Sequence, residues 1–385
     1  MKTSATRIEG LGTTIFAEMS QLAARTGSVN LGQGFPDTDG PTWVVDAVTA
    51  AMRDGRNQYA PGMGVPELRA AVARHQRRFY GLEVDPDTEV AVTTGATEAI
   101  AAALLGLVDP GDEVVVLEPY YDSYVAMLQM TGAIRRPVTL RAPDFRLPVD
   151  ELRAAVTPHT RIILLNSPHN PTGTVLTRDE LQAVADLAVE HDLVVVSDEV
   201  YEHLTFGADH VPIAALPGMA ERTLTISSAG KSFSFTGWKV GWASGPTSLV
   251  SALVGAKQFM TYTSGAPFQP AIAQALDRAE SIVVPLRDEL AARRDQLCSG
   301  LDSIGFGVHR PEGTYFATTD VRPLGYDDGL RFCRALPGLC GVVAIPHQVF
   351  YDDIAAGRPL VRWAFCKSES VIAEALDRLS GLPRR

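Results

Sequence analysis

The segment SSAGKSFSFTGWK, residues 227–239, is the part of this chain from which its fold and chemistry are best predicted. It follows one apolar run at 223–226 and precedes another at 240–243. Small residues surround Lys231, so the backbone can approach a ligand closely and the lysine can point into a cavity. Burial in such a cavity would lower the pKa of Lys231, and a neutral amine can attack a carbonyl group.

Two other interpretations of this segment have to be weighed. Gly230-Lys231-Ser232 resembles the end of a phosphate-binding P-loop, but that motif requires glycine at position 225, where Thr225 stands. A single lysine in a polar loop is most often exposed to solvent. The rest of the chain must therefore decide whether Lys231 is exposed or reactive.

Composition predicts a soluble globular protein that binds neither nucleic acid nor membrane. The chain has 385 residues and is 46% hydrophobic, enough for one large and one small domain. Its net charge of −11, without a basic block, argues against a nucleic-acid surface. No stretch approaches the ~20 apolar residues of a membrane span, and no apolar signal-peptide segment follows the first residues.

Cysteine and histidine usage predicts a cytoplasmic protein without a metal. The four cysteines include no CxxC pair, which favours reduced thiols over disulfides or a zinc site. The eight histidines show no HExxH or similar spacing, so we expect each to be structural.

Apolar strand-like runs alternate with helix-like segments in the middle of the chain. Strands are predicted at 89–94, 113–118, 161–166, 193–197 and 222–226. Helices are predicted at 13–26, 41–54, 66–80, 122–131 and 177–191, with one starting at Gly95 and a single long helix at 270–305. This alternation is typical of an α/β fold with a parallel sheet covered on both faces. The predicted division is an N-terminal arm (1–44) that joins a small α+β C-terminal domain (281–385), and a large domain (45–280).

Polar and aromatic side chains follow successive strands, where open α/β sheets bind their ligands. Gly95-Ala96-Thr97 at a helix start is a potential anion site. The other residues that follow strands are Tyr121, Asn166, Asn170, Asp198, Tyr201 and Lys231. Each alone has a structural explanation as a packed aromatic, a turn former or a helix cap. Together they supply the anion site, flat platform, carboxylate, phenol and amine that pyridoxal phosphate requires.

Seven motifs carry a resemblance to a known family. They are NLGQGFPD (30–37), NQYAPGMG (57–64), TTGATEA (93–99), NSPHNPTG (166–173), SDEVYEHL (197–204), SSAGKSFSFTGWKVGW (227–242) and LVRWAFCK (360–367). With them the chain resembles the fold-type I, class I/II aminotransferases over nearly its whole length. It is more narrowly similar to the branch of kynurenine, methionine and actinobacterial N-succinyldiaminopimelate aminotransferases. The resemblance implies pyridoxal phosphate, a mainly parallel seven-stranded sheet, and amino transfer from an L-amino acid to a 2-oxo acid, 2-oxoglutarate by preference.

The same resemblance implies a role for each residue at the reacting end of the cofactor. Lys231 would hold the cofactor covalently and later move a proton. Asp198 would pair with the ring nitrogen. Tyr201 and Asn170 would bind the phenolic oxygen, and Asn166 would support them near the substrate carboxylate.

Other positions would hold the remainder of the cofactor and the substrate. Tyr121 would stack on the ring. The implied phosphate ligands are Gly95, Ala96, Thr97, Ser228 and Lys239, with Tyr59 reaching the phosphate of the neighbouring subunit in a homodimer. Arg362 would clamp the substrate α-carboxylate in a bidentate pair. The substrate side would be lined by Gly34, Phe35 and Phe16, although these three are equally well explained as loop and core residues.

One segment departs from the kynurenine-type pattern. Where those relatives carry a bulky aromatic-histidine pair before Pro-x-Gln, this chain has Ser264 and Gly265. A roomier pocket favours a longer substrate, and N-succinyl-LL-2,6-diaminopimelate with glutamate is the leading prediction. Methionine, glutamine or kynurenine transamination is the alternative.

Two further functions remain open at this point. A β-lyase acting on cysteine conjugates would use the same cofactor. A ligand-sensing regulator would carry an added DNA-binding module, whereas only about 30 residues precede the first motif and the chain is acidic.

Overall fold

The computed structural model describes residues 4–383. Its helices are α1 (Ile15–Thr26), α2 (Thr42–Arg53), α3 (Pro66–Tyr80), α4 (Gly95–Leu107), α5 (Asp122–Thr131), α6 (Val149–Ala155), α7 (Arg178–Glu190), α8 (Ala229–Ser232), α9 (Thr247–Lys257), α10 (Phe268–Asp277), α11 (Ala279–Ile304), α12 (Gly329–Cys340), α13 (Ile354–Gly357) and α14 (Glu369–Ser380). Its strands are β1 (Val29–Asn30), β2 (Val90–Thr94), β3 (Glu113–Glu118), β4 (Ile134–Thr139), β5 (Thr160–Asn166), β6 (Val194–Asp198), β7 (Thr223–Ser228), β8 (Val240–Ser244), β9 (Gly307–His309), β10 (Phe316–Asp320), β11 (Val342–Val343), β12 (Ile345–Pro346) and β13 (Leu360–Ala364).

A seven-stranded sheet in the order β2-β8-β7-β6-β5-β3-β4 lies at the centre of the fold. All neighbouring strands are parallel except at β8, which runs antiparallel to both β2 and β7. Alternate residues of the apolar strands pack into two cores, so Ile162 and Leu164 face one core whereas Ile163 and Leu165 face the other. Both faces are buried, which explains the continuous apolar runs and confirms the predicted mainly parallel seven-stranded α/β sheet.

Strand β4 lies at the edge of this sheet and was not predicted. Its sequence, IRRPVT, has two arginines and a proline. Proline and charged side chains are tolerated at an edge, because one side of the strand has no pairing partner. The sequence of an edge strand therefore lacks the apolar run that identified the inner strands.

The single helix predicted at 270–305 is wrong. The segment forms two helices, α10 and α11, separated by Arg278, whose φ of −113° and ψ of 20° are not helical. Helix α10 packs on α2 and α3, whereas α11 packs on α14. The chain must change direction between these two partners, and the guanidinium of Arg278 lies 4.9 Å from the ring centre of Trp43 at the bend.

A second, antiparallel sheet in the order β12-β13-β10-β9 is built from residues after 306. The short strand β1 pairs in parallel with β11, which joins the N-terminal segment to the C-terminal part of the chain. The predicted N-terminal arm, the small domain and their boundaries at 44 and 280 stay predictions. Within residues 4–383 no helix is both long and apolar enough to cross a bilayer.

A close approach of two backbones positions the start of α4. A Cβ atom at Gly241 in β8 would lie 2.6 Å from the carbonyl carbon of Gly95 and 2.8 Å from the nitrogen of Ala96. We expect Gly241→Ala to displace this turn and lower the free energy of unfolding by roughly 1–3 kcal/mol, as overpacking does. Urea denaturation measures the loss.

Gly255 in α9 provides the matched control for that substitution. No atom lies within 4 Å of its added Cβ, so Gly255→Ala should keep or raise stability because alanine is the better helix former. Equal stability of the two variants would contradict the close approach at Gly241.

Candidate active site

A cavity of about 310 Å³ opens at the edge of the large sheet where the parallel strands end. Most of the predicted site residues line it, from segments far apart in the sequence. They are Phe16, Gly34, Gly95, Ala96, Thr97, Tyr121, Asn166, Asn170, Asp198, Tyr201, Ser228, Lys231, Lys239 and Arg362. The structure thus brings together residues at the ends of β2, β3, β5, β6 and β7, residues of the N-terminal segment and an arginine of β13.

Two predicted residues lie outside this cavity in the single chain. Tyr59 is 84% exposed, and its ring contacts Tyr262 edge-on at 5.7 Å between ring centres. Phe35 is 48% exposed, and its carbonyl oxygen accepts a hydrogen bond from Lys367 Nζ at 2.8 Å. Their predicted roles stay predictions.

Lys231 lies in the short helix α8, directly after β7, and its amine is close to two aromatic rings. Nζ is 5.9 Å from the ring centre of Tyr201 and 5.6 Å from that of Tyr315. Burial lowers the pKa of Lys231 to about 8, although the nearby Cys366 and Asp198 act in the opposite direction. A substantial fraction of this amine is therefore neutral near physiological pH, as a nucleophile or a proton acceptor requires.

Asp198 ends β6, is buried and lines the cavity. The hydroxyl of Tyr124 donates to its Oδ2 at 2.5 Å, and the backbone N–H of Val200 donates to Oδ1 at 3.3 Å. Burial raises the pKa of Asp198 to about 6, while the bond from Tyr124 acts to lower it. At neutral pH the group is mainly a carboxylate that can face a cationic ligand atom.

Tyr124 was not singled out from the sequence. Its position offered one signal, because it lies three residues after Tyr121 at the start of α5, where side chains share a helix face. Two aromatic residues at the start of β10, Tyr315 and Phe316, were also missed. Tyr315 donates to the carbonyl of Gly34 at 2.6 Å, and no sequence motif marks it.

We expect Tyr124→Phe to move the acidic limb of the kcat/KM profile to higher pH by about one to two units. A hydrogen bond to a charged group stabilises it by about 1.5–3 kcal/mol, and its loss favours protonated Asp198, so a higher pH is needed to ionise the carboxylate. Tyr120→Phe is the control, because the hydroxyl of Tyr120 donates to Asp352 instead. An unshifted profile in the Tyr124 variant would show that this hydrogen bond does not control ionisation of Asp198.

A chain of hydrogen bonds joins the two sheets across the cavity. Asn166 Nδ2 donates to the carbonyl of Asp198 at 2.9 Å, and Asn166 Oδ1 accepts the N–H of Asn170 at 2.8 Å. Asn170 Oδ1 in turn accepts from Arg362 Nη1 at 3.0 Å. The two amides therefore hold the guanidinium in position relative to β6.

Arg362 is a buried cation that lines the cavity. It is 2% exposed, and among the described residues no carboxylate oxygen forms an ion pair with it and its Nε has no hydrogen-bond partner. Its Cζ lies 3.9 Å from the ring centre of Phe316 and 4.9 Å from that of Phe16. Burial lowers the pKa of Arg362 to about 10, which leaves the group charged at neutral pH. A carboxylate ligand would supply the missing partner.

The start of α4 forms a cradle for an anion. Gly95 has a φ of +71°, and Thr94 before it makes no side-chain cap. The Cβ that any other residue would add at Gly95 would lie 3.2 Å from Lys239 Nζ, so this space lies between a lysine and a helix N-terminus. A phosphate group fits this environment.

Comparison with known proteins agrees with this arrangement. Residues 26–379 match the family described as aminotransferase class I and II. The chain belongs to this family. Class I and II aminotransferases use pyridoxal phosphate, and the anion cradle, the buried Asp198 and the lysine of depressed pKa fit that cofactor in this aminotransferase.

Individual relatives cover almost the whole chain. It is 55% identical to a probable N-succinyldiaminopimelate aminotransferase of Mycobacterium tuberculosis, over 98% of both chains. It is 38% identical to a methionine aminotransferase of Escherichia coli, over 98% of this chain and 97% of the relative. The solved structure of N-succinyldiaminopimelate aminotransferase from Mycobacterium tuberculosis matches with a TM-score of 0.96 at 54% identity, covering 98% of this chain and 99% of that one.

Proposed function

We propose that this aminotransferase moves the amino group between N-succinyl-LL-2,6-diaminopimelate and the glutamate/2-oxoglutarate pair. The observation that carries the proposal is the 55% identity, over 98% of both chains, to the probable N-succinyldiaminopimelate aminotransferase. The small residues Ser264 and Gly265, where kynurenine-type relatives carry a bulky pair, are the sequence feature that favours a long substrate, although neither lines the cavity of the single chain.

The proposed roles at the reacting atoms follow from the position of each side chain. Bound pyridoxal phosphate supplies an aldehyde and a ring that withdraws negative charge from the substrate Cα. Lys231 removes and returns the proton at this carbon, because its depressed pKa leaves an amine ready to accept it. Asp198 holds a positive charge at the ring nitrogen, and Tyr201 and Asn170 donate to the phenolic oxygen.

Other residues of the cavity are proposed to bind the substrate carboxylate, the cofactor phosphate and the cofactor ring. Arg362 binds the substrate α-carboxylate, since it is buried, charged and has no carboxylate partner among the described residues. The phosphate is bound by the cradle of Gly95, Ala96, Thr97, Ser228 and Lys239. Tyr121 stacks on the cofactor ring, with Asn166 supporting Asn170.

A homodimer completes the proposal. Tyr59 and Phe259 are 84% and 86% exposed in the single chain, and Met260 and Tyr262 are also exposed. Large apolar side chains grouped on a surface are typical of an interface with another chain. We propose that a second copy covers them and receives Tyr59 at its phosphate site. Four scattered cysteines support a cytoplasmic location for this dimer.

The substrate proposal is tested by comparing donors with 2-oxoglutarate as acceptor. We expect kcat/KM for N-succinyl-LL-2,6-diaminopimelate to exceed that for methionine, glutamine and kynurenine by at least about 100-fold, since an additional charged contact discriminates strongly. Equal or faster turnover of methionine would favour methionine transamination, the alternative that the Escherichia coli relative supports. Release of pyruvate and ammonia from a cysteine conjugate without an acceptor would indicate the lyase.

The shared site is tested by mixing two defective chains. One chain carries Lys231→Ala and the other carries Tyr59→Phe. The concentration of pyridoxal phosphate is kept too low to saturate the Tyr59→Phe chain. Random pairing makes half of the dimers hybrid, and one of the two sites in each hybrid has both native residues, so about one quarter of wild-type activity should appear. Activity no greater than the average of the separate variants would contradict a shared site.

A further inference from the structure

A cluster of two histidines and a glutamate lies outside the active-site cavity. His75 comes from α3, whereas Glu202 and His203 belong to the turn after β6. One ring nitrogen of each histidine and one carboxylate oxygen all lie within 4.8 Å of one another. We propose that His75, Glu202 and His203 form a binding site for a divalent transition metal ion, with zinc as the best fit.

The donor set matches the coordination chemistry of zinc. Zinc takes imidazole nitrogens at about 2.0–2.1 Å and carboxylate oxygens at about 2.0–2.2 Å, in tetrahedral geometry. In that geometry two nitrogens are separated by about 3.3 Å. The Nε2 atoms of His75 and His203 are 2.8 Å apart, so they need to separate by only about 0.5 Å to admit the ion. Nδ1 of His75 has no hydrogen-bond partner among the described residues, so no second hydrogen bond holds this ring back.

Glu202 is buried and is held in place by hydrogen bonds to both carboxylate oxygens. It is 4% exposed, and its two oxygens accept hydrogen bonds from the hydroxyls of Tyr80, at 2.6 Å, and Ser227. Hydrogen bonds from a second layer of residues orient ligands in this way at known metal sites. Among the described residues, no lysine or arginine forms an ion pair with this carboxylate. A divalent cation would offset a buried negative charge that otherwise costs free energy.

The position of the cluster indicates where an ion would enter and which segments it would connect. His203 is half-buried while His75 and Glu202 are buried, so an ion would enter beside the ring of His203. Glu202 directly follows Tyr201, and Ser227 directly precedes Ser228. A bound ion would thus fasten α3 to the segment that carries Asp198 and Tyr201, as a structural site beside the cavity. This inference is independent of the substrate proposed above.

The sequence predicts no metal site, because metal sites are recognised in a sequence by ligands at short, fixed spacings. His75 is far from Glu202 and His203 in sequence, and only the packing of α3 against the turn after β6 brings the three together. No spacing motif exists for such a set.

The test uses the full-length protein loaded with pyridoxal phosphate, stripped with a chelator and titrated with zinc chloride. We expect one equivalent of zinc per chain by isothermal titration and elemental analysis, with X-ray absorption reporting two imidazole ligands. His203→Ala should lose this stoichiometric binding. Tyr80→Phe should weaken it by about 10- to 100-fold, because the hydroxyl only orients Glu202.

Exposed His191 at the end of α7 is the matched control, and His191→Ala should bind zinc as the wild-type protein does. Because His203 is half-buried, its alanine variant should fold, and its circular dichroism spectrum checks this. The absence of a stoichiometric site in the wild-type protein would overturn the proposal. Undiminished binding by folded His203→Ala would overturn it as well.

Discussion

Replacing Lys231 by alanine should lower turnover by about 100- to 10⁴-fold, since this variant lacks the amine that moves the proton at the substrate Cα. The physical reason is the environment of the amine, whose pKa burial lowers to about 8. No other lysine lies in α8. Lys239 also lines the cavity, but it is exposed and its side chain lies beside the start of α4. The initial rate with saturating donor and 2-oxoglutarate measures the effect.

The Lys231→Ala variant should fold as the wild-type protein does. Burial disfavours the charged ammonium form of Lys231, so this side chain contributes little to the free energy of unfolding. We therefore expect Lys231→Ala to keep the wild-type near-ultraviolet circular dichroism spectrum and a similar melting temperature without cofactor. A loss of turnover accompanied by unfolding would leave the role of the amine to be tested with Lys231→Arg, which keeps the charge but not the proton-accepting amine. Wild-type turnover in either folded variant would contradict the mechanism.

Replacing Arg362 by glutamine lowers kcat/KM for an amino acid by about 30- to 5,000-fold. A buried charge pair broken on one side costs about 2–5 kcal/mol, and the substrate α-carboxylate would be the group left unpaired. Arg362→Lys should recover only part of the loss, because an ammonium cannot form the bidentate pair. The aromatic rings of Phe16 and Phe316 beside the guanidinium also fit its flat shape better than an ammonium.

A substrate without the carboxylate separates binding at Arg362 from general damage. The ratio of kcat/KM for glutamate to that for 4-aminobutyrate, its decarboxylated analogue, should be large in the wild-type enzyme and should collapse in Arg362→Gln. Arg322→Gln is the control, since Arg322 follows β10 in the same part of the chain, pairs with Asp320 and is largely exposed. An unchanged ratio in the Arg362 variant would place carboxylate recognition elsewhere.

The inner strands and the cavity were predictable from sequence for one physical reason. A parallel strand buried on both faces needs a continuous apolar run, and the residue after that run lies at the shared carboxyl edge of the sheet. Asn166, Asp198 and Lys231 could therefore be assigned to one site before any distance was known. The capping box that Thr177 and Glu180 form at the start of α7 likewise depends on local sequence, because its two residues are three positions apart.

Tertiary structure alone decided features that depend on which segments meet. Edge strand β4 lacks an apolar run because solvent covers one side, and the chain bends at Arg278 because α10 and α11 pack on different partners. The hydroxyl of Tyr124 reaches Asp198, and His75 reaches Glu202 and His203, only because separate segments pack together. Sequence by itself determined which residues lie at or just beyond the ends of the inner strands, to within about two positions, because that depends on local burial. The lone guanidinium of Arg362 and the partners of these buried polar groups were decided by contacts between distant parts of the chain.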